Sequence, residues 1–203
     1  MEKEEKFWNW FEESNNKYLN LDLVTDEDLE DLMGDFFNNL QEYSKYLFFQ
    51  IGNKPTSDIS ELIISAEGNK NHFIEVDNLV SSAPKFSNWN IIAFKPSLGC
   101  NFITTYEDIK LDPKEIFFMP LNSNLDKNKI GIRICIKGYK EEVQLKYKNA
   151  VFQLLDALLG EKKAAEINYF DLENLMNYEN YENDLISLCD LAEYIEWKLS
   201  KMQ

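Results

Sequence analysis

What most constrains this chain is an order of segments that occurs twice. Tyr46–Ile51 reads as a strand, and Glu61–Lys95 reads as strand, glycine turn, helix and strand. The same order returns about seventy positions later. Leu47–Ile51 matches Phe117–Leu121 in pattern, and Leu62, Ile64, Ala66 and Gly68 match Ile132, Ile134, Ile136 and Gly138. Both matches share an offset of 70, which predicts two hairpin loops of equal length. Ile91 and Phe94 match Ile167 and Phe170 at an offset of 76, which predicts a longer helical region in the second copy.

This pattern limits the fold. The first two strands of each copy form an antiparallel hairpin, and the helix returns the chain to a third strand parallel to the second. The expected class is α+β: two strand-strand-helix-strand units forming a mixed, largely antiparallel sheet covered by helices, with two N-terminal helices. The expected layout is one domain over 1–203. It has a helical part at 1–45, a unit at 46–96, a connector at 97–113, a unit at 114–172, and a C-terminal tail and helix at 173–203.

Each element has a local signature. Phe7, Trp8, Phe11, Tyr18 and Leu19 share one side of a helix over 4–19. A second helix runs from Asp26 to Lys45, with Thr25 as N-cap and Asp28 as a short stand-in for the capping-box Glu. Asn69 caps a helix over 70–82. Pro120 suits an edge or the end of a strand. Lys129–Lys137 alternates cleanly, with Ile130, Ile132, Ile134 and Ile136 on one side. A long helix spans 141–159 and ends at Gly160. The stretch 173–187, rich in acids and amides, reads as a loop.

Charge narrows the partners. There are 36 Asp and Glu against 21 Lys and Arg, a net charge of −15. Phosphate backbones and anionic membranes repel such a chain, so neither nucleic acid nor membrane is expected as a partner. Such charge serves solubility first, and its sharper reading is an acidic face for a basic protein partner. The first residues lack the apolar segment of a signal peptide, and no apolar run spans a bilayer. Cys100, Cys135 and Cys189 are odd in number and far apart. They read as reduced thiols in a cytoplasm, with Cys135 and Cys189 as packing residues.

His72 is the only histidine, and sequence spacing supplies no triad partner. No metal-ligand spacing, phosphate-binding glycine motif or nucleophile elbow occurs, so no catalytic residue, metal or cofactor is assigned. The glycine turn Glu67-Gly68-Asn69 joins a strand to the helix that carries His72. Glu67, Asn69 and His72 are therefore the candidate ligand-binding residues.

Glu61–Asn69, Phe73, Ala83-Pro84, Trp89 and Ile91–Pro96, with the closing Asp190–Lys198, resemble an uncharacterised family of bacterial hypothetical proteins. The resemblance implies a bacterial cytoplasmic protein and brings no activity with it. The leading expectation is a non-enzymatic protein-binding or regulatory module, with a toxin-neutralising immunity protein as one version. The alternative is a small carboxylate-dependent hydrolase or transferase with a site between the two halves. Homodimerisation through a sheet edge is a third.

Overall fold

A computed structural model describes residues 2–53, 59–121 and 128–202. The chain divides into two compact units, Met1–Lys95 and Pro96–Gln203.

The first unit begins with α1 (Lys3–Ser14), extended by a 3-10 turn at Asn15–Tyr18. Next comes α2 (Asp26–Tyr43). Thr25 caps α2 as expected: its hydroxyl oxygen accepts from the Asp28 amide. That hydroxyl in turn donates to the Asp28 carboxylate at 2.8 Å. The strands β1 (Phe48–Asn53) and β2 (Ser60–Ser65) pair antiparallel. A 3-10 turn at Lys70–His72, capped by Asn69, leads into α3 (Phe73–Ser81). β3 (Trp89–Ala93) then pairs parallel to β2. The sheet order is β1-β2-β3.

One face of this sheet holds the core. Leu62 and Ile64 of β2 pack in one cluster with Phe7, Trp8 and Phe11 of α1, Phe36 and Leu40 of α2, and Val76 and Leu79 of α3. The aromatic load of α1 is therefore an interior feature. Phe11 is fully buried and stands edge-on to Phe36, Phe86 and Trp89. The Trp8 indole donates to the Leu79 carbonyl at 2.8 Å, which satisfies its polar edge at the end of α3.

The second unit starts with a short hairpin, β4 (Thr104–Tyr106) and β5 (Ile109–Leu111), inside the stretch expected as a connector at 97–113. β6 (Phe117–Leu121) and β7 (Ile130–Ile136) pair antiparallel. α4 (Gln144–Leu159) follows, then Gly160 at φ 74° and the single turn α5 (Glu161–Ala164). β8 (Ile167–Asn174) pairs parallel to β7. α6 (Tyr181–Asp184), β9 (Ile186–Ser187) and α7 (Leu191–Ser200) complete the chain. The sheet order is β8-β7-β6-β9. The isoleucines of β7 face α4 and α7 in the core.

Both units thus share strand-strand-helix-strand topology, and Gly68 and Gly138 occupy the same turn. Each has left-handed φ, 77° and 76°, which only glycine adopts without strain. The class is α+β with mixed, largely antiparallel pairing, distributed over separate sheets rather than one.

The finer alignment needs correction. Phe49 pairs with Ile64, and Phe118 pairs with Ile134. The two hairpins therefore differ by one residue in register, and Phe49 rather than Phe48 matches Phe118. In the third strands Ile91 pairs with Leu62, and Phe170 with Ile132, an offset of 79 where the sequence pattern gives 76. A bulge between Ile130 and Gly131 adds one residue of that difference.

Two further expectations fail. The stretch 173–187 is not a loop. Leu175 and Leu185 pack on buried Cys135, on the face of β7 opposite the isoleucines, and β9 adds a strand to β6. Its few apolar residues are spaced so that the acids and amides between them conceal the pattern. Nor are all three cysteines free. Cys100 and Cys189 form a disulfide, with Cα atoms 5.7 Å apart, across a sequence separation of 89 that hides the pairing. Cys135 is buried and free, and burial pushes its thiol up to about 11. No helix is long and apolar enough, among the described residues, to cross a membrane.

Candidate functional site

The three residues singled out by sequence lie along one turn, but their side chains go to different partners. Glu67 has left-handed backbone, φ 50°, and its carboxylate accepts from Lys95 Nζ at 2.6 Å. Asn69 accepts from the Asn71 amide and caps the turn. His72 turns toward α3, where Nδ1 lies 3.0 Å from Glu75 Oε1.

That contact leads to a cluster the sequence reading missed. Glu75 Oε2 accepts from the Ser44 hydroxyl. The Tyr46 ring stacks on the His72 ring, with centroids 3.8 Å apart and planes 16° from parallel. The Tyr43 hydroxyl lies 3.0 Å from the Glu75 carbonyl and 3.1 Å from Glu4 Oε1. Glu4, Tyr43, Ser44, Tyr46, Glu75 and Asn78 line an open hollow of about 530 Å³ together with Lys3, Lys45, Gln41 and Glu42. Glu67 and Asn69 do not line it, and His72 reaches it through Glu75.

Local folding explains the assembly. Ser44 caps the C-terminus of α2, Tyr46 lies just before β1, and His72 and Glu75 are three residues apart across the start of α3. The His72–Glu75 spacing is visible in the sequence. The approach of Ser44 to α3 depends on tertiary packing and is not.

The electrostatics decide what the cluster can do. Burial raises the Glu75 carboxyl, but hydrogen bonds from Ser44 and His72 outweigh it and hold the group below the ordinary carboxylate range. Burial, followed by the Glu4 hydrogen bond and charge, raises the Tyr43 hydroxyl well above its usual range. Glu75 therefore sits as an anion between a serine and a histidine. A serine nucleophile needs a base of suitable pKa on its hydroxyl, and here that place is taken by a stabilised, weakly basic carboxylate. The arrangement suits holding a donor group or a cation better than activating a hydroxyl.

In the second unit Arg133 makes a two-pronged contact with Asp171, at 2.8 Å on both prongs, and a third bond to Glu173 at 2.9 Å. Tyr178 donates to the same Glu173, and its hydroxyl is pushed up to about 12, first by burial and then by that bond. This network ties the 175–187 segment to β7 and β8. No group of three or more His, Cys, Asp or Glu, among the described residues, is placed to hold a metal ion. No protein-family model, curated protein or solved structure matches the chain.

Proposed function

We propose that the protein is a non-enzymatic binding or regulatory module for a basic protein partner. The observation that carries this reading is the surface of α2. Its eighteen residues hold seven carboxylates and no lysine or arginine. Leu23, just before the helix, is 80% exposed, and Phe37 on it is 39% exposed. Acidic and apolar groups side by side are what a basic, amphipathic protein surface complements. A toxin-neutralising immunity protein is the specific version that this charge suits. Nucleic acid and anionic membranes stay disfavoured on charge.

The test is capture from native lysate with the wild-type chain and with a triple variant, Glu27→Gln, Glu30→Gln and Asp31→Asn, that keeps the Thr25 cap. The expected result is a stoichiometric basic partner that the variant loses and that high salt releases. No such partner at low or physiological salt would overturn the reading.

Glu75 is held ionised, which suits a nucleophile rather than a base, and on that ground the hollow supports a second reading, a carboxylate-dependent hydrolase or transferase. Turnover of an ester or glycoside probe that Glu75→Gln abolishes would support it, and unchanged turnover would remove it.

The cytoplasmic location expected from unpaired thiols loses its premise with the Cys100–Cys189 bond, because disulfides persist mainly in oxidising compartments. The mass of the protein taken from cells into alkylating buffer distinguishes the oxidised from the reduced chain.

A further inference from the structure

The two units differ in how they treat one sheet edge. In the second unit the outer edge of β6 is covered by β9 at its start and blocked by a proline further along. The Ile116 carbonyl accepts from the Leu188 amide at 2.9 Å, and Phe118 pairs with Ile186 of β9. Residues 116, 118 and 120 therefore direct their backbone groups outward, because an antiparallel strand alternates its bonding side. The third of these is Pro120, which has no N–H to offer.

In the first unit the corresponding residues are Leu47, Phe49 and Ile51. Their outward direction follows independently from β2. The Ile64 carbonyl accepts from the Phe94 amide, so residues 60, 62 and 64 bond toward β3 and residues 61, 63 and 65 toward β1. The partners of the latter are Gly52, Gln50 and Phe48, which leaves Phe49 and Ile51 facing away from the sheet. Leu47 is closed by a side chain: Gln41 of α2 donates to its carbonyl at 3.0 Å, where Leu188 serves Ile116 in the other unit. Among the described residues no strand pairs along the outer side of β1. Proteins ordinarily cover or block such edges.

We infer that the outer edge of β1 at Phe49–Ile51 is a docking site for an extended, positively charged segment of a partner protein, which adds a strand there as β9 does to β6. The mode is strand addition, in which main-chain hydrogen bonds give affinity and alternate side chains give specificity. This rests on the partner-binding reading above and locates it. Charge selects the occupant. α2 packs on β1 through Phe36, stacked 4.1 Å from Phe49, and through Gln41. A second copy of a chain with net charge −15 would bring a second acidic α2 toward the first, whereas a basic segment is attracted. The neighbouring Tyr46 and Phe48 are 55% and 40% exposed and offer apolar contact to alternate side chains of that segment.

The probe is a synthetic peptide carrying the β9 segment Leu185–Leu188 between two lysines, with a control N-methylated at alternate amides. Titration at up to roughly millimolar peptide, a weak-binding range, is followed by amide shifts in the full chain. The expected result is saturable binding that shifts the Phe49 and Ile51 amides and weakens at least tenfold in the control. Ile51→Pro reproduces the block at Pro120 without touching the β2 ladder, and it too weakens binding at least tenfold. Equal binding of the control, shifts confined to other residues, no binding, or a dimer formed through β1 would each overturn the inference. If lysate capture succeeds and Ile51→Pro leaves it intact, the edge is wrong and the partner reading stands. If the peptide binds and capture fails, the reverse holds.

Discussion

The two units use one topology and finish it differently. In the second, the chain beyond the third strand turns back. Leu175 and Leu185 cover the far face of the sheet at Cys135, and Ile186–Ser187 pairs with β6. In the first, the chain leaves its third strand at Ala93 and reaches the unit boundary at Lys95, so it has no returning segment. Instead it invests in the near face. α1, α2 and α3 all supply that core, with Phe7, Trp8 and Phe11 in five consecutive positions. The contrast teaches that a hairpin-helix-strand unit leaves an edge and a face to be completed. The second unit covers its far face and the start of its β6 edge from its own chain, and the first completes its core and, among the described residues, leaves the β1 edge unpaired.

The largest effect expected concerns what the units share. Ile64 and Ile134 are fully buried and occupy matching places. Ile64→Ala and Ile134→Ala should each cost about 2–5 kcal/mol in urea unfolding, since a buried Ile→Ala change leaves a cavity. Strongly unequal costs would break the equivalence of the two copies. Next is the disulfide, which lies wholly in the second unit. Replacing Cys100 and Cys189 by serine should lower stability by about 2–4 kcal/mol, with the loss of amide protection centred on 97–203. An equal loss across both units would contradict its assignment to one of them.

The smallest effect is the acid limb. Glu75 and Glu173 both have depressed carboxyls. For Glu75, burial opposes the shift and the Ser44 and His72 bonds carry it. For Glu173, the Asn177 bond leads. A depressed folded pKa adds stability above the unfolded value, and that stability is lost as pH falls through the folded one. Each unit should therefore weaken as pH drops below the ordinary carboxylate range. Glu75→Gln and Glu173→Gln should each flatten that slope by less than about 1 kcal/mol, because both groups are partly solvent-screened. A pH-independent stability in that range would contradict the assignment.

Much of the fold was legible because local signals agreed. The alternation of Ile130–Ile136 gave β7, and the Thr25 cap gave the start of α2. Pro120 marked an edge position of β6, which lies beside the two-residue β9. The register of β1 was illegible because Phe48 and Phe49 are both aromatic, and only packing of Phe49 on Phe36 chooses between them. The tail escaped because Leu175, Leu185 and Leu188 are spread among acids and amides. The disulfide escaped because its ends lie 89 positions apart in the sequence. Of the candidate site, His72 was legible as a single histidine at a helix start. Ser44 was not, because its approach to Glu75 joins the end of α2 to α3.

Amide hydrogen exchange on the full chain tests the central claim most directly. The open edge predicts that the Phe49 and Ile51 amides exchange on the order of a hundredfold faster than Gln50, which faces β2, and than Phe118, which faces β9. Protection of Phe49 and Ile51 equal to that of Gln50 and Phe118 would show the edge already closed, and would contradict the account.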